Sequence, residues 1–498
     1  MADYDVIIIG AGNGGLTAGA LLSKQGRSVL ILEQSERIGG CCSTFEKDGY
    51  HFDVGASIVE VIRGIEIAFE MLGTTFQKEV ELISCDPVMT IIDRDGSRIT
   101  YPLSIDGTAE VIASLSAEDG KRWYDFVAYM AEFVEVALDT FFTEPADTMG
   151  DMLRMAQKDR RLLKFLPLFL HSYQDVIQSY FKDERVLKTM GYQSLYFGHP
   201  PAVIPGAFAL IPYTEHMGIY YPRGGMIQIP EAFRRVGEKL GMEVRLNTLV
   251  KRVMVRNRRA HGVVLADGTE ITARVIVSNI NARTLYLDMI GADHLPALAR
   301  IGIKSYRYSK AVPMIYVGVD YTPPLKSHHN IIAITPDGVN RYWRENVEQG
   351  RLPEENFGLI CWSSHADPTL APAGHHVLNL IPEGFYHLAG TEWDKEKPRF
   401  IERTLRCLDT FAVPGLMDHI KVVECATPLD FERRLLLPEG AIYAFQQDLS
   451  AAAIFRPSAR SKSIQSLYLT GSSTHPGGGV PTTISSGVIA AKLIDQYE

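Results

Sequence analysis

Val6-Ile7-Ile8-Ile9-Gly10-Ala11-Gly12-Asn13-Gly14-Gly15 decides the fold. Branched apolar residues run without a break into glycines, and the segment from Leu16 to Gln25 suits a helix. The order is therefore strand, tight turn, helix. Gly10, Gly12 and Gly15 occupy G-x-G-x-x-G positions, where missing side chains permit the turn, close backbone approach to a pyrophosphate, and tight helix–strand packing. The helix N-terminus, with unpaired N–H groups and partial positive charge, faces the phosphates. A second apolar strand, Ser28-Val29-Leu30-Ile31-Leu32, ends in Glu33, 23 residues after Gly10. An acid at that place hydrogen-bonds a ribose hydroxyl and disfavours a 2′-phosphate. These features together predict a dinucleotide-binding unit.

Beyond Glu33 and Gln34 stands Arg37-Ile38-Gly39-Gly40. This R-x-G-G extension resembles the segment after the second strand in flavoproteins of the glutathione-reductase and amine-oxidase classes, which implies FAD. No second G-x-G-x-x-G occurs in the chain, so direct reduction through a separate NAD(P)H domain is not expected. A diffusible acceptor, oxygen or a quinone, is the expected electron route.

The rest of the sequence limits what surrounds this unit. Its 498 residues exceed a single typical domain of about 150. Hydrophobic residues at 46% and charged residues at 22% fit a folded protein and exclude disordered or coiled-coil readings. A net charge of −9 repels nucleic acid. The basic residues between Lys251 and Arg259 interrupt a strand and its turn, as a solvated face does. Six cysteines without a C-x-x-C pair, and histidines without zinc-ligand spacing, imply a reducing compartment and no metal. With no secretory signal and no apolar run long enough to span a bilayer, the expected location is cytoplasmic, with peripheral contact to a membrane left open.

Residues from about 100 to 215 are helical in pattern and rich in large apolar side chains. From about 243 the character becomes a strand meander with an Asp267-Gly268 hairpin turn. The C-terminus offers Ser466-Leu467-Tyr468-Leu469-Thr470-Gly471 as a strand, then a loop through Gly477-Gly478-Gly479, then a helix from Ile484. That helix N-terminus can aim N–H groups at a developing negative charge.

The whole chain resembles the phytoene-desaturase family of flavoproteins, which includes carotenoid desaturases, carotenoid isomerases and retinol saturases. The matching pieces are Asp5 to Gly15, Arg37 to Phe45, Asp48 to Gly55, Tyr221-Pro222-Arg223-Gly224-Gly225-Met226, Phe455-Arg456-Pro457 and Leu467 through His475-Pro476-Gly477-Gly478-Gly479-Val480-Pro481. The resemblance implies an α/β fold: a Rossmann-type FAD-binding domain interleaved with a substrate domain of mixed sheet and a helical subdomain. The expected division is 1–100, 216–300 and 456–498 for FAD, 101–215 for the helical part facing substrate or membrane, and 301–455 for the substrate sheet.

The implied FAD contacts are Gly10, Gly12, Asn13, Gly14, Gly15, Glu33, Gln34, Arg37, Gly39 and Gly40. To these it adds Val250 at adenine, Gly471 by the pyrophosphate, and Val480 and Thr482 bordering the isoalloxazine. Asp151-Met152-Leu153-Arg154 resembles a segment of bacterial phytoene desaturases in which an Asp and an Arg have been proposed as acid–base residues. The i, i+3 spacing fits either a buried proton-handling pair or an exposed helical ion pair. Cys41-Cys42 is expected to pack rather than pair. His475 and His328-His329 are expected to be structural hydrogen-bonders.

The implied activity is oxidoreduction of a hydrophobic polyene or isoprenoid, by desaturation, saturation or cis–trans isomerisation. An amine-oxidase-like enzyme on a small polar substrate and a non-catalytic flavin-binding escort are the alternatives. The stretch Leu162 to Tyr180 could line a tunnel, dock on a bilayer or simply pack.

Overall fold

The computed structural model describes residues 2–354, 357–448 and 453–498. At its centre lie β1 (Tyr4–Ile9), α1 (Asn13–Lys24) and β2 (Val29–Leu32). β1 pairs in parallel with β2 on one side and with Glu270–Ser278 on the other. Val6, Ile7 and Ile8 are fully buried, because a parallel sheet is covered on both faces; hence the unbroken apolar run. Glu243–Arg245 extends the sheet beyond β2, and Leu467–Leu469 pairs in parallel with Ile276–Ser278. Every one of these parallel strands ends at the same edge. Gly10, Glu33, Asn279 and the Thr470-Gly471 step therefore converge on the crevice where ligands of open α/β sheets bind.

The first half of Glu270–Ser278 pairs antiparallel with Arg259–Leu265, which pairs with Val250–Arg256. Gly268 turns the hairpin at φ +91°. The basic side chains at 251, 252, 256, 258 and 259 all face solvent.

A second sheet of seven strands runs in the spatial order Ile420–Ala426, Met314–Val319, His376–Pro382, Gly358–Cys361, His329–Ile332, Met89–Ile92 and Arg98–Tyr101. Met89–Ile92 pairs in parallel with His329–Ile332 and antiparallel with Arg98–Tyr101. Residues 89–101, within the expected first FAD segment, thus contribute two strands to the second sheet. Met89, Ile91 and Ile92 are buried there.

Helices occupy most of 105–217. In the longest, Ala117–Thr143, Trp123, Phe126, Val127, Met130, Phe133 and Val134 form a buried stripe at helical spacing. Phe126 packs against Tyr180 and Phe181 at ring separations of 5.3 and 5.5 Å. The last helix, Val480–Tyr497, begins four residues earlier than the expected Ile484. Pro481 fits a first helical turn, where no N–H is needed. The Thr482 and Thr483 hydroxyls donate back to the Gly479 carbonyl at 3.0 and 2.8 Å. Branched residues that suggest a loop in sequence thus close the first turn.

Candidate active site

The glycine loop serves two neighbours at once. Gly12 caps α1 with no side chain on the helix end, so the amides of the first turn remain open to an anion. A Cβ on Gly12 would stand 2.7 Å from Asn279 Nδ2, and one on Gly14 would stand 2.8 Å from both Asn279 Oδ1 and the Gly471 nitrogen. Side chains there would fill the crevice and force the chain ends apart. Asn279 is the keystone that sequence reasoning missed. Its amide donates to the Ile9 carbonyl at 2.9 Å, and Thr470 Oγ1 donates to its Oδ1 at 3.1 Å. Its only sequence signal is a polar residue just past an apolar strand. The Gly471 amide donates to Ser486 Oγ at 2.7 Å, tying this loop to the last helix.

Glu33 extends from the end of β2 and accepts hydrogen bonds from the Ala11 amide at 2.8 Å and the Ser35 amide at 2.9 Å. The carboxylate is thereby fixed beside the loop, with lone pairs left for a ribose hydroxyl. The Gly39 amide donates to the Ala11 carbonyl at 2.8 Å. Gly40 has φ +57° and faces open space, with no atom within 4 Å of a would-be Cβ. Asn13 is the first residue of α1, and Val250 lies buried at the start of its strand. Val480 and Thr482 occupy the uncapped first turn of the last helix. Gln34 Nε2 donates to the Arg434 carbonyl at 3.4 Å, and the exposed Arg37 pairs with Glu36 at 3.0 Å.

The family-like strings outside this loop meet one another through Asp53. It is 1% exposed and accepts hydrogen bonds from Tyr221 Oη at 2.5 Å, Thr44 Oγ1 at 2.7 Å and the Met226 amide at 2.8 Å. Burial pushes its carboxyl up to about 6, against those donors. Cys42 is buried and donates to the Met226 carbonyl at 3.4 Å, and both Cys41 and Cys42 are free thiols, raised to about 12 by burial. His328 and His329 hold Ser57 through its carbonyl at 2.8 Å and its hydroxyl at 3.0 Å. His475 is 3% exposed, its Nε2 lies 3.2 Å from the Phe141 carbonyl, and burial lowers its pKa to about 4. Arg456 Nη2 donates to the Ser472 carbonyl at 2.8 Å and so braces the terminal loop.

Asp151 and Arg154 do form an ion pair. Asp151 is buried at the start of the helix Met149–Lys158, where its Oδ2 accepts from Thr148 Oγ1 at 2.8 Å and the Asp147 amide at 3.1 Å. The Arg154 side chain is 66% exposed.

With this crevice at the carboxyl edge of the parallel sheet, the chain is similar to known proteins along its full length. The chain is 29% identical over 502 residues to a neurosporene-forming phytoene desaturase of Rhodobacter capsulatus, covering 98% of this chain and 93% of that one. It is 27% identical to a zeta-carotene-forming phytoene desaturase of Myxococcus xanthus, covering 99% and 93%. An oxidoreductase of Methanosarcina mazei shares the fold with a TM-score of 0.63 at 16% identity, covering 99% of each chain. The sequence profile of the flavin containing amine oxidoreductases matches residues 14–495. The glycine cradle fits the FAD of that family, and the chain belongs to the flavin containing amine oxidoreductases.

Proposed function

We propose that this FAD-dependent oxidoreductase acts on a hydrophobic polyene or isoprenoid, by desaturation, saturation or cis–trans isomerisation. The observation that carries the reading is similarity to phytoene desaturases along the full length of the chain, helical layer and terminal glycine loop included. Bound FAD supplies two-electron hydride exchange, for which an allylic C–H is a suitable donor. The protein's own residues bind, orient and shield. Open amides of α1 hold the pyrophosphate, Glu33 takes the ribose, and the uncapped turn at Val480 favours negative charge beside it. Asp53 fixes the loops at Thr44 and Met226, so that the crevice wall keeps its shape.

Access for a lipid is supported by the helical layer. Met149, Leu153, Leu163, Leu166, Phe169 and Leu170 are between 44% and 80% exposed, and Lys158, Arg160, Arg161 and Lys164 stand among them at the surface. Lys158, Arg161 and Lys164 pair with Glu144, Glu135 and Glu132, so it is the exposed apolar side chains that suit shallow docking in a bilayer. Among the described residues no helix is long and apolar enough to cross a membrane. For Asp151 and Arg154 we infer a capping pair rather than a proton relay, since the arginine faces water and the carboxylate is engaged by Thr148. Oxygen or a quinone takes up electrons in the oxidative direction.

The test is anaerobic incubation of the purified flavoprotein with phytoene, lycopene and retinol, following flavin bleaching and product mass. Bleaching with loss of two hydrogens assigns desaturation, and altered geometry at unchanged mass assigns isomerisation. Reoxidation of chemically reduced flavin with gain of two hydrogens assigns saturation. No spectral change and no product with any of the three overturns the polyene reading.

A further inference from the structure

The segment after Asp53 leads from the cofactor crevice into the helical layer. The Ala56 amide donates to the Cys41 carbonyl at 3.1 Å, and Val59 bridges Tyr220 through two backbone hydrogen bonds of 2.8 and 2.9 Å. Burial alternates along it, with Ser57, Val59 and Val61 buried and Ala56, Ile58 and Glu60 half-buried, as an extended segment with one accessible face requires. That face is apolar until it ends on a carboxyl.

Glu60 does not end in a void of apolar side chains. Glu215 opens the turn Glu215–Met217 just before the bridge partner Tyr220. Gln193 donates its Nε2 to Glu215 Oε2, and both residues are 1% exposed. Four sealed atoms in this group have no partner: Glu60 Oε2, Gln193 Oε1, Tyr196 Oη and Glu215 Oε1. An unpartnered buried polar atom costs about 1–3 kcal/mol, so several together point to a polar guest. We infer that Glu60, Gln193, Tyr196 and Glu215 receive a hydroxyl group borne on the end of the isoprenoid, an inference that rests on the polyene reading above.

The donor and acceptor inventory selects an alcohol. Gln193 Oε1 can only accept. Burial raises both glutamates, Glu215 further because of Glu60, and burial followed by the two neighbouring carboxyls raises Tyr196. Glu215, the more strongly raised and sealed acid, and Tyr196 are therefore the groups available as donors. A hydroxyl donates to Gln193 while accepting from one of them. A carbonyl would leave Gln193 unfilled, a carboxylate would bring charge among acids, and a hydrocarbon would satisfy nothing.

The experiment uses the FAD-loaded protein in detergent and three C20 ligands that differ only at one end: geranylgeraniol, its deoxy hydrocarbon and its primary amine. Calorimetry gives the affinities, and lycopene is tested for perturbation of the flavin spectrum. The expected result is at least tenfold tighter binding of the alcohol than of the hydrocarbon, reduced below about threefold in Tyr196→Phe and in Gln193→Leu. Tyr196→Phe removes only an unpartnered oxygen and keeps the ring packing, so it guards against a folding artefact. Equal affinity for alcohol and hydrocarbon overturns the inference, as does an alcohol preference untouched by both substitutions, which would assign the cluster to water. Tighter binding of the amine than of the alcohol also overturns it, in favour of a cation site. Failure of every C20 ligand and of lycopene overturns the polyene reading itself.

Discussion

Gly487→Ala separates a crevice closed by both chain ends from one that either end builds alone. Gly487 lies inside the helix Val480–Tyr497, where alanine on an open face would stabilise by about 1 kcal/mol through helix propensity. Here a Cβ would stand 2.5 Å from the Gly14 carbonyl oxygen, 2.8 Å from Thr17 Cβ and 3.0 Å from the Ala18 nitrogen. All three belong to α1, and none is the end of a flexible side chain. Ordinary contact lies at about 3.5 Å, so the helices must part by roughly 1 Å. Overpacking of this kind costs about 1–3 kcal/mol, which cancels the propensity gain and leaves a net loss of up to about 2 kcal/mol. The same movement draws Gly471 away from Gly14 and widens the cradle. FAD affinity falls with it, by roughly tenfold for each 1.4 kcal/mol that binding loses. Gly302→Ala is the control: it sits in the exposed helix Ala297–Ser305 with no atom within 4 Å of the new methyl, and it gains up to about 1 kcal/mol. Urea midpoints and FAD titration of the apoprotein provide the readouts. A midpoint for Gly487→Ala that stays level or rises like that of Gly302→Ala, at full FAD affinity, refutes the interlocked-ends argument.

Glu33→Ala removes the ribose acceptor and releases the Ala11 and Ser35 amides; charged hydrogen bonds of about 1.5–3 kcal/mol make FAD binding roughly ten- to a hundredfold weaker, and purification with full flavin content would contradict the ribose assignment. Asp151→Ala loses a helix-start contact worth about 1 kcal/mol. Arg154→Ala, at an exposed pair, stays within about 0.5 kcal/mol of the parent and keeps its turnover; a tenfold fall in turnover at unchanged flavin content would restore the proton-handling role. His475 is lowered to about 4 from 6.5 in the folded protein by burial. The unfolded chain therefore binds its proton first, and the stability held above pH 6.5 is lost as the pH falls towards 4. Relative to His475→Gln, the parent loses up to about 3 kcal/mol across that window; parallel melting-temperature profiles for the two proteins between pH 7 and 4.5 would show that the imidazole is not kept neutral.

The sequence made legible whatever was local and chemically special. Val6–Ile9, the glycine loop and Glu33 lie within about one supersecondary unit, and the physics that selects each residue acts on its neighbours. The Asp267-Gly268 turn was legible for the same reason. Met89–Ile92 was not, because its pairing partner His329–Ile332 is distant in the chain and a short apolar run does not state which sheet will bury it. The start of the last helix was misplaced because Thr482 and Thr483 favour extended structure in isolation, whereas their hydroxyls find the Gly479 carbonyl once Pro481 has set the first turn.

Two residues show where the boundary of legibility lies. Thr148-Met149-Gly150-Asp151 carries the spacing of a capping box, a local signal that reading Asp151 and Arg154 only as a charged pair passed over. Asn279 had no such signal. Its role exists only because Gly12, Gly14 and Gly471, from three separate elements, leave space around one amide. Each glycine alone is explained by a turn or a phosphate, and only their shared neighbour explains why the first and last helices must meet at glycine. The cofactor cradle is thus specified twice, once by the ligand it admits and once by the side chain that locks the termini together, and a substitution that spares the ligand can still open the lock.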